Sequence, residues 1–165
     1  MNPFRSYQTR FMQGIFAALV ALFTSQHSLA LAETAATNLT GISWKLVRLG
    51  TPDNLSEPIS GSNGRNLTAQ FYEDENIVRG TGGCNLYGGI YQINGNMLVF
   101  PDGFDQTAAG CQTEILNQQE ERYFAALQGA QSYQINELGQ LEISYQTNQE
   151  SGVLIFEPQL SDRTR

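Results

Sequence analysis

Tyr91-Gln92-Ile93-Asn94-Gly95-Asn96-Met97-Leu98-Val99-Phe100 reads as two short extended runs hinged on Gly95-Asn96, a dipeptide suited to a tight hairpin turn. The same opening returns at Tyr133-Gln134-Ile135-Asn136. There Glu137-Leu138-Gly139-Gln140 separates it from a second apolar run, Leu141-Glu142-Ile143-Ser144. Four shared residues are too few for a duplicated domain, so these are two similar hairpins.

The alternation of hairpin chemistry extends in both directions. Ser43-Trp44-Lys45-Leu46-Val47-Arg48-Leu49 reads as a first strand, with Trp44, Leu46 and Arg48 on one side and Lys45, Val47 and Leu49 on the other. Residues 50–66, with Pro52, Pro58 and Gly61-Ser62-Asn63-Gly64, are expected to form a long surface loop. Leu67 to Tyr72 and Ile77 to Gly80 flank the acidic tip Glu73-Asp74-Glu75-Asn76 as another hairpin. Gly152-Val153-Leu154-Ile155-Phe156-Glu157 gives a last strand, halted by Pro158. Only Thr113 to Leu127 breaks the pattern. Leu116, Glu120, Tyr123, Phe124 and Leu127 recur at helical spacing, Thr113 can cap the start, Glu114 suits the positive end of the dipole, and Gly129 is a stop. The expected fold is mainly β: a small antiparallel barrel or strongly curled sheet of about eight strands, closed or plugged by one amphipathic helix.

Composition supports a folded chain. Of the 165 residues 41% are hydrophobic and only 5 are Pro, while charged residues make up 15%, against about 25% in ordinary soluble proteins. Neutral amides fill the gap, with 16 Gln and 12 Asn. The formal charge of -7 argues against nucleic-acid binding through a broad basic face.

The start of the chain has the features of a secretory leader. Arg5 and Arg10 precede the apolar run Gly14 to Phe23, too short to span a bilayer core comfortably, and Ala30-Leu31-Ala32 offers small residues for signal peptidase. Cleavage is expected before Glu33. That divides the chain into a leader (1–32), a short polar tether (33–40), a folded domain (41–158) and a polar tail (159–165). No stable membrane span would remain, and the location would be periplasmic or secreted. The only histidine, His27, falls in the leader, and loss of Arg5 and Arg10 leaves seven bases against 16 acids. A chain without imidazole has no Ser-His-Asp or Cys-His catalysis and no His-based zinc site. Asn38-Leu39-Thr40 and Asn66-Leu67-Thr68 match the glycosylation triplet, which matters only in a eukaryotic secretory pathway.

Cys84 and Cys111 are the only cysteines, and an even count in an exported chain suggests one disulfide. Closing that loop would stabilise the fold by roughly 3.5 kcal/mol in the chain-entropy picture. Two free buried thiols and a redox pair are the alternatives, though the spacing is not C-x-x-C. Two thiolates alone make a weak metal site, and neither metal nor cofactor is expected. Gly80-Thr81-Gly82-Gly83-Cys84-Asn85-Leu86-Tyr87-Gly88-Gly89 lacks the Lys of a phosphate loop and has no helix after it, so its glycines point to bulges or close backbone approach. Asn85 is expected to hydrogen-bond a neighbouring loop. Asp102-Gly103-Phe104-Asp105 lacks EF-hand spacing and is expected to be a turn.

Glu120 lies on the apolar stripe of the helix, where a carboxylate needs donors. It is either a general base or a buried clamp that accepts backbone N–H or hydroxyl bonds. The lack of a second convergent catalytic group favours the clamp.

Several motifs together resemble the META domain family, the HslJ-like heat-shock-associated proteins of bacterial envelopes. They are Gly41-Ile42-Ser43-Trp44-Lys45-Leu46-Val47, Gly82-Gly83-Cys84-Asn85 with Tyr87-Gly88, Gln106-Thr107-Ala108-Ala109-Gly110-Cys111, the helix residues Glu120, Tyr123-Phe124 and Ala125-Ala126-Leu127, and Leu154-Ile155-Phe156. The resemblance covers roughly residues 39 to 157. It implies a compact small-barrel β fold with one helix outside the cytoplasm, links to heat shock, envelope stress, drug tolerance or virulence, and no catalytic residues to carry over. The chain departs at Thr107-Ala108-Ala109-Gly110, where family members often have Ser-Thr-x-Met.

Three functional hypotheses follow. The first is a non-enzymatic exported module, a monomer serving envelope maintenance or stress response by binding a protein or small molecule. The second is a carrier of small apolar ligands in the barrel interior. The third, a hydrolase or thiol enzyme, is disfavoured. Trp44, Phe71, Tyr91, Phe100 and Phe124 are candidates for the core or for a ligand lining: large side chains turned inward would leave the interior no room for cargo.

Overall fold

Eleven strands and one long helix make up the computed structural model, which describes residues 38–159. The proposed leader 1–32, residues 33–37 of the tether and residues 160–165 of the tail lie outside the described residues.

In chain order the elements are β1 (Ser43–Thr51), β2 (Asn54–Ser56), β3 (Thr68–Tyr72), β4 (Ile77–Thr81), β5 (Leu86–Ile90), β6 (Gln92–Asn94), β7 (Met97–Val99), β8 (Asp105–Gln106), α1 (Glu114–Gln128), β9 (Ala130–Ile135), β10 (Leu141–Gln146) and β11 (Ser151–Gln159). One antiparallel sheet runs β6-β7-β9-β10-β11-β1-β3-β4-β5-β8, with β2 added beside β1. Its ends, β6 and β8, do not pair with each other, so the sheet is curled and open rather than a closed barrel. The expected hairpins are present, β3–β4, β6–β7 and β9–β10 among them. Beyond the eight strands read from sequence stand β2, β5 and β8. The first and last are three and two residues long, below the length at which alternation is legible, and β5 lies inside the glycine-rich run.

The helix packs against β10 and β11 and turns its apolar stripe into the core. Thr113 caps it by accepting a hydrogen bond from the Leu116 N–H, and Leu116, Glu120, Tyr123, Phe124 and Leu127 are all buried. Gly129 ends it, although not through a left-handed turn. Its φ is -85°, and a side chain there would strike the Gln146 carbonyl.

Two details of strand reading need correction. Alternation along β1 breaks at Val47, where the pairing with β11 slips by one residue, from Leu46↔Phe156 to Arg48↔Ile155. This bulge turns Arg48 outward and buries Leu49, the reverse of the simple period-two assignment. Nor does β11 stop before Pro158, which pairs with Trp44. The proline is tolerated because β10 pairs only as far as Phe156, so no strand on that side asks for its missing N–H. The end of the expected tether also joins the fold. Leu39 is buried, its carbonyl accepts the Trp44 indole N–H at 2.9 Å, and Thr40 bridges to Phe71.

Candidate functional site

Helix, glycine turn and second cysteine meet at Glu120. Oε1 accepts the backbone N–H of Cys84 at 2.9 Å and of Asn85 at 2.7 Å, and Oε2 accepts the Asn85 side-chain amide at 2.6 Å. Asn85 Oδ1 in turn accepts the Ala109 N–H at 2.8 Å and the Thr107 hydroxyl at 3.2 Å, which fixes the segment leading to Cys111. Cys84 and Cys111 are joined as a disulfide with their Cα atoms 5.1 Å apart. Gly82 is glycine for a local reason: a Cβ there would lie 2.6 Å from Glu120 Oε1 and 2.7 Å from the Phe124 ring. One carboxylate thus ties three segments that are remote in sequence. Its oxygens are engaged by donors of the fold, an arrangement suited to holding rather than to accepting a substrate proton. The sulfurs lie beside it, with Cys84, Cys111 and Glu120 donor atoms all within 4.8 Å of one another. While bonded together they offer no thiolate to a metal.

The five aromatic candidates are buried in a single core. Phe71 meets Tyr91 edge-on at 5.2 Å and lies 6.5 Å from Phe100, and Phe100 continues to Phe104 at 4.9 Å. Phe104 reaches Phe124 at 6.3 Å, and Trp44 is fully buried in the same cluster. Sequence reasoning missed the polar seam inside this core. The Tyr87 and Tyr123 hydroxyls lie 3.1 Å apart, and both donate to the Thr68 carbonyl, at 3.0 and 3.1 Å. Burial pushes both phenols well above their ordinary range. Tyr123 stood on the helix stripe and Tyr87 in a motif of the family resemblance, but nothing in the sequence pairs their hydroxyls.

A second polar cluster pins the helix to the β10–β11 turn. Arg122 grips Glu150 through two hydrogen bonds of 2.8 and 3.0 Å, and the Tyr145 hydroxyl donates to the same carboxylate at 2.8 Å. The Arg122 hydrogen bond holds the Glu150 carboxyl below its usual range. Burial, then the bond to Glu150, pushes Tyr145 up to about 12.

The open surface feature is on the outer face of the sheet, at the Val47 bulge. Between its pairing with β3 (Ser43–Lys45) and with β2 (Leu49–Thr51), β1 has no strand neighbour on that side, and a groove of about 530 Å³ occupies the notch. Val47 and Ile155 line it, with Lys45, Arg48, Glu57 and Glu157 beside them. Its two rims are fixed. Gln119 exchanges two 2.7 Å hydrogen bonds with the Ile59 backbone, and Asn136 Oδ1 accepts the N–H groups of Leu138 and Gln140 at 3.0 Å. Those rims present Ile59 and Leu138 to solvent, 49% and 79% exposed. None of these residues was singled out as a site from sequence, because the groove depends on a one-residue bulge.

Comparison with known proteins agrees with this architecture. No curated protein matches the chain. Among solved structures it is similar to a protein from Burkholderia xenovorans determined by NMR, at 22% identity and a TM-score of 0.59, covering 74% of this chain and 85% of that one. That likeness is one of fold. The family model for the META domain matches residues 37–159, from the end of the tether through the last strand, and takes in Trp44, both cysteines and Glu120. The chain therefore belongs to the META domain family.

Proposed function

We propose that this chain is an exported, non-enzymatic META protein, periplasmic or secreted, that serves envelope maintenance or stress response through binding. The observation that carries the reading is where space is found. The interior between sheet and helix is occupied by interlocking aromatic rings, whereas the groove over Val47 and Ile155 is open and has fixed rims. Exposed apolar side chains on a fixed rim suit a recognition surface. A filled interior counts against a carrier of apolar cargo inside the sheet. The engagement of Glu120 by the fold, with no histidine after residue 32, counts against hydrolysis. The paired cysteines are compatible with an oxidising compartment.

Two measurements test this. N-terminal sequencing of native material should begin at Glu33, and thiol labelling of the unreduced protein should find neither cysteine free. Protein beginning at Met1 with two labelled thiols would overturn export. Substitution of Ile59 and Leu138 by Ser should abolish whatever association brings a partner along when the intact protein is purified from its compartment. Unchanged association would remove the groove from the proposal.

A further inference from the structure

Two thiolates alone were too few for a metal site on the sequence; the fold supplies a third donor beside them. We propose that, in the dithiol form of the protein, Cys84, Cys111 and Glu120 form a Zn²⁺ site that the disulfide otherwise holds closed. This is a property of the folded domain and stands apart from export and from the outer groove.

Part of the geometry is already what the ion requires, and reduction supplies the rest by freeing the two bonded sulfurs to separate to about 3.8 Å. Tetrahedral Zn²⁺ with bonds of about 2.3 Å to sulfur and about 2.0 Å to a carboxylate oxygen places S and O donors about 3.5 Å apart. Cys111 Sγ and Glu120 Oε2 are already 3.8 Å apart, and all three donor atoms lie within 4.8 Å of one another. The carboxylate is aimed before any metal arrives. Asn85 Nδ2 holds Oε2 and the Cys84 and Asn85 N–H groups hold Oε1, the kind of outer hydrogen bonding that orients metal-binding carboxylates. Cys84 and Glu120 are 2% and 4% exposed, while Cys111 is partly exposed. The metal would therefore enter on the Cys111 side and keep its fourth position there for water. Two soft thiolates and one carboxylate select Zn²⁺ over the hard cations Mg²⁺ and Ca²⁺.

The chemistry balances with a dithiol as reductant. The dithiol delivers two electrons and two protons and closes to its own disulfide; the Cys84–Cys111 bond breaks and two thiols appear. Zn²⁺ then displaces one proton from each thiol, and the Glu120 carboxylate completes the protein ligands. Redox state decides whether the node is a covalent staple or a metal site.

The test uses Co²⁺ as a spectroscopic stand-in for Zn²⁺, with a phosphine reductant that does not compete as a thiol ligand. Reduced protein should take up one Co²⁺ per chain, show thiolate-to-cobalt charge transfer for two sulfurs with visible bands of a tetrahedral site, and lose both on adding Zn²⁺. The unreduced protein should show neither. C111S should keep about half the charge-transfer intensity. E120Q should keep all of it but bind at least about tenfold more weakly. X-ray absorption on the zinc-loaded wild type, which needs no variant to fold, should count two sulfurs and two lighter atoms. No uptake by reduced protein, four sulfurs per metal, or an E120Q affinity equal to wild type would overturn the site.

Discussion

Glu120 on the helix and Asn85 in the turn between β4 and β5, 35 residues apart, are joined twice: the carboxylate accepts both the backbone N–H and the side-chain amide of Asn85, at 2.7 and 2.6 Å. Each of those donors is buried, and so is the Cys84 N–H on the same carboxylate. Truncation strands three donors at once. Glu120→Ala should lower the urea-unfolding free energy by at least about 3 kcal/mol. Glu120→Gln should lose about 2 kcal/mol, because its own NH₂ must face a donor. A variant within about 1 kcal/mol of wild type would show that water replaces the carboxylate. A stable variant that lost a measured activity would restore the general-base alternative.

The disulfide joins the same glycine turn to the segment before the helix. Reduction, or the C84S/C111S pair, should cost up to about 3.5 kcal/mol and lower Tm by on the order of 10 °C. Thermal unfolding with and without reductant, in metal-free buffer, measures it.

Glycines here differ in what a methyl group would meet. At Gly82 it would press on Glu120 and Phe124, whereas at Gly95, with φ +62°, the space is open and only the backbone conformation objects. Gly82→Ala should therefore cost several kcal/mol or prevent folding, and Gly95→Ala about 1 kcal/mol. Equal losses at the two sites, read from urea midpoints, would contradict the packing argument.

Acid should weaken the Arg122–Glu150 clamp. Glu150 is held below its ordinary range when folded, so its contribution is complete above the unfolded carboxyl range and is lost as pH falls through the lower folded value. With side chains 40% and 26% exposed, the contribution is about 1 kcal/mol at most. The stability gap between wild type and Glu150→Gln should therefore be present at neutral pH and vanish in strong acid. A gap independent of pH would count against it.

Alkali acts on the buried phenols with the opposite sense. Tyr87 and Tyr123 are pushed up by burial, and Tyr145 to about 12, so the unfolded chain releases these protons first. Their contribution to stability should be constant below about 10, the unfolded tyrosine value, and be lost as pH rises above it. Ultraviolet titration should show these tyrosines ionising together with loss of the folded circular-dichroism signal. Smooth ionisation in the folded protein would contradict their burial.

Much of the fold was legible because its signals are local. Period-two alternation marked β1 and β3, turn residues followed by a second run marked β4, β7 and β10, the 3.6-residue stripe marked α1, and Thr113 marked its cap. Glu120 stood out because a carboxylate on an apolar stripe is costly unless something pays it in hydrogen bonds. Its donors were not legible, since backbone N–H groups carry no sequence signature. Leu86 to Ile90 was hidden by glycines that have no face to alternate.

The chain's own order of residues determined antiparallel hairpins with one helix, a single pair of cysteines and a carboxylate among core residues, and left barrel and curled sheet open, because periodicity and side-chain chemistry act over a few neighbouring positions. Tertiary structure alone decided that β1 bulges at Val47, that Arg48 faces out while Leu49 faces in, and that Tyr87 and Tyr123 share the Thr68 carbonyl. It also placed Glu120 against both sulfurs. Those outcomes depend on strands and turns tens of residues apart arriving at one place, and one slipped residue in a strand reverses every side chain beyond it.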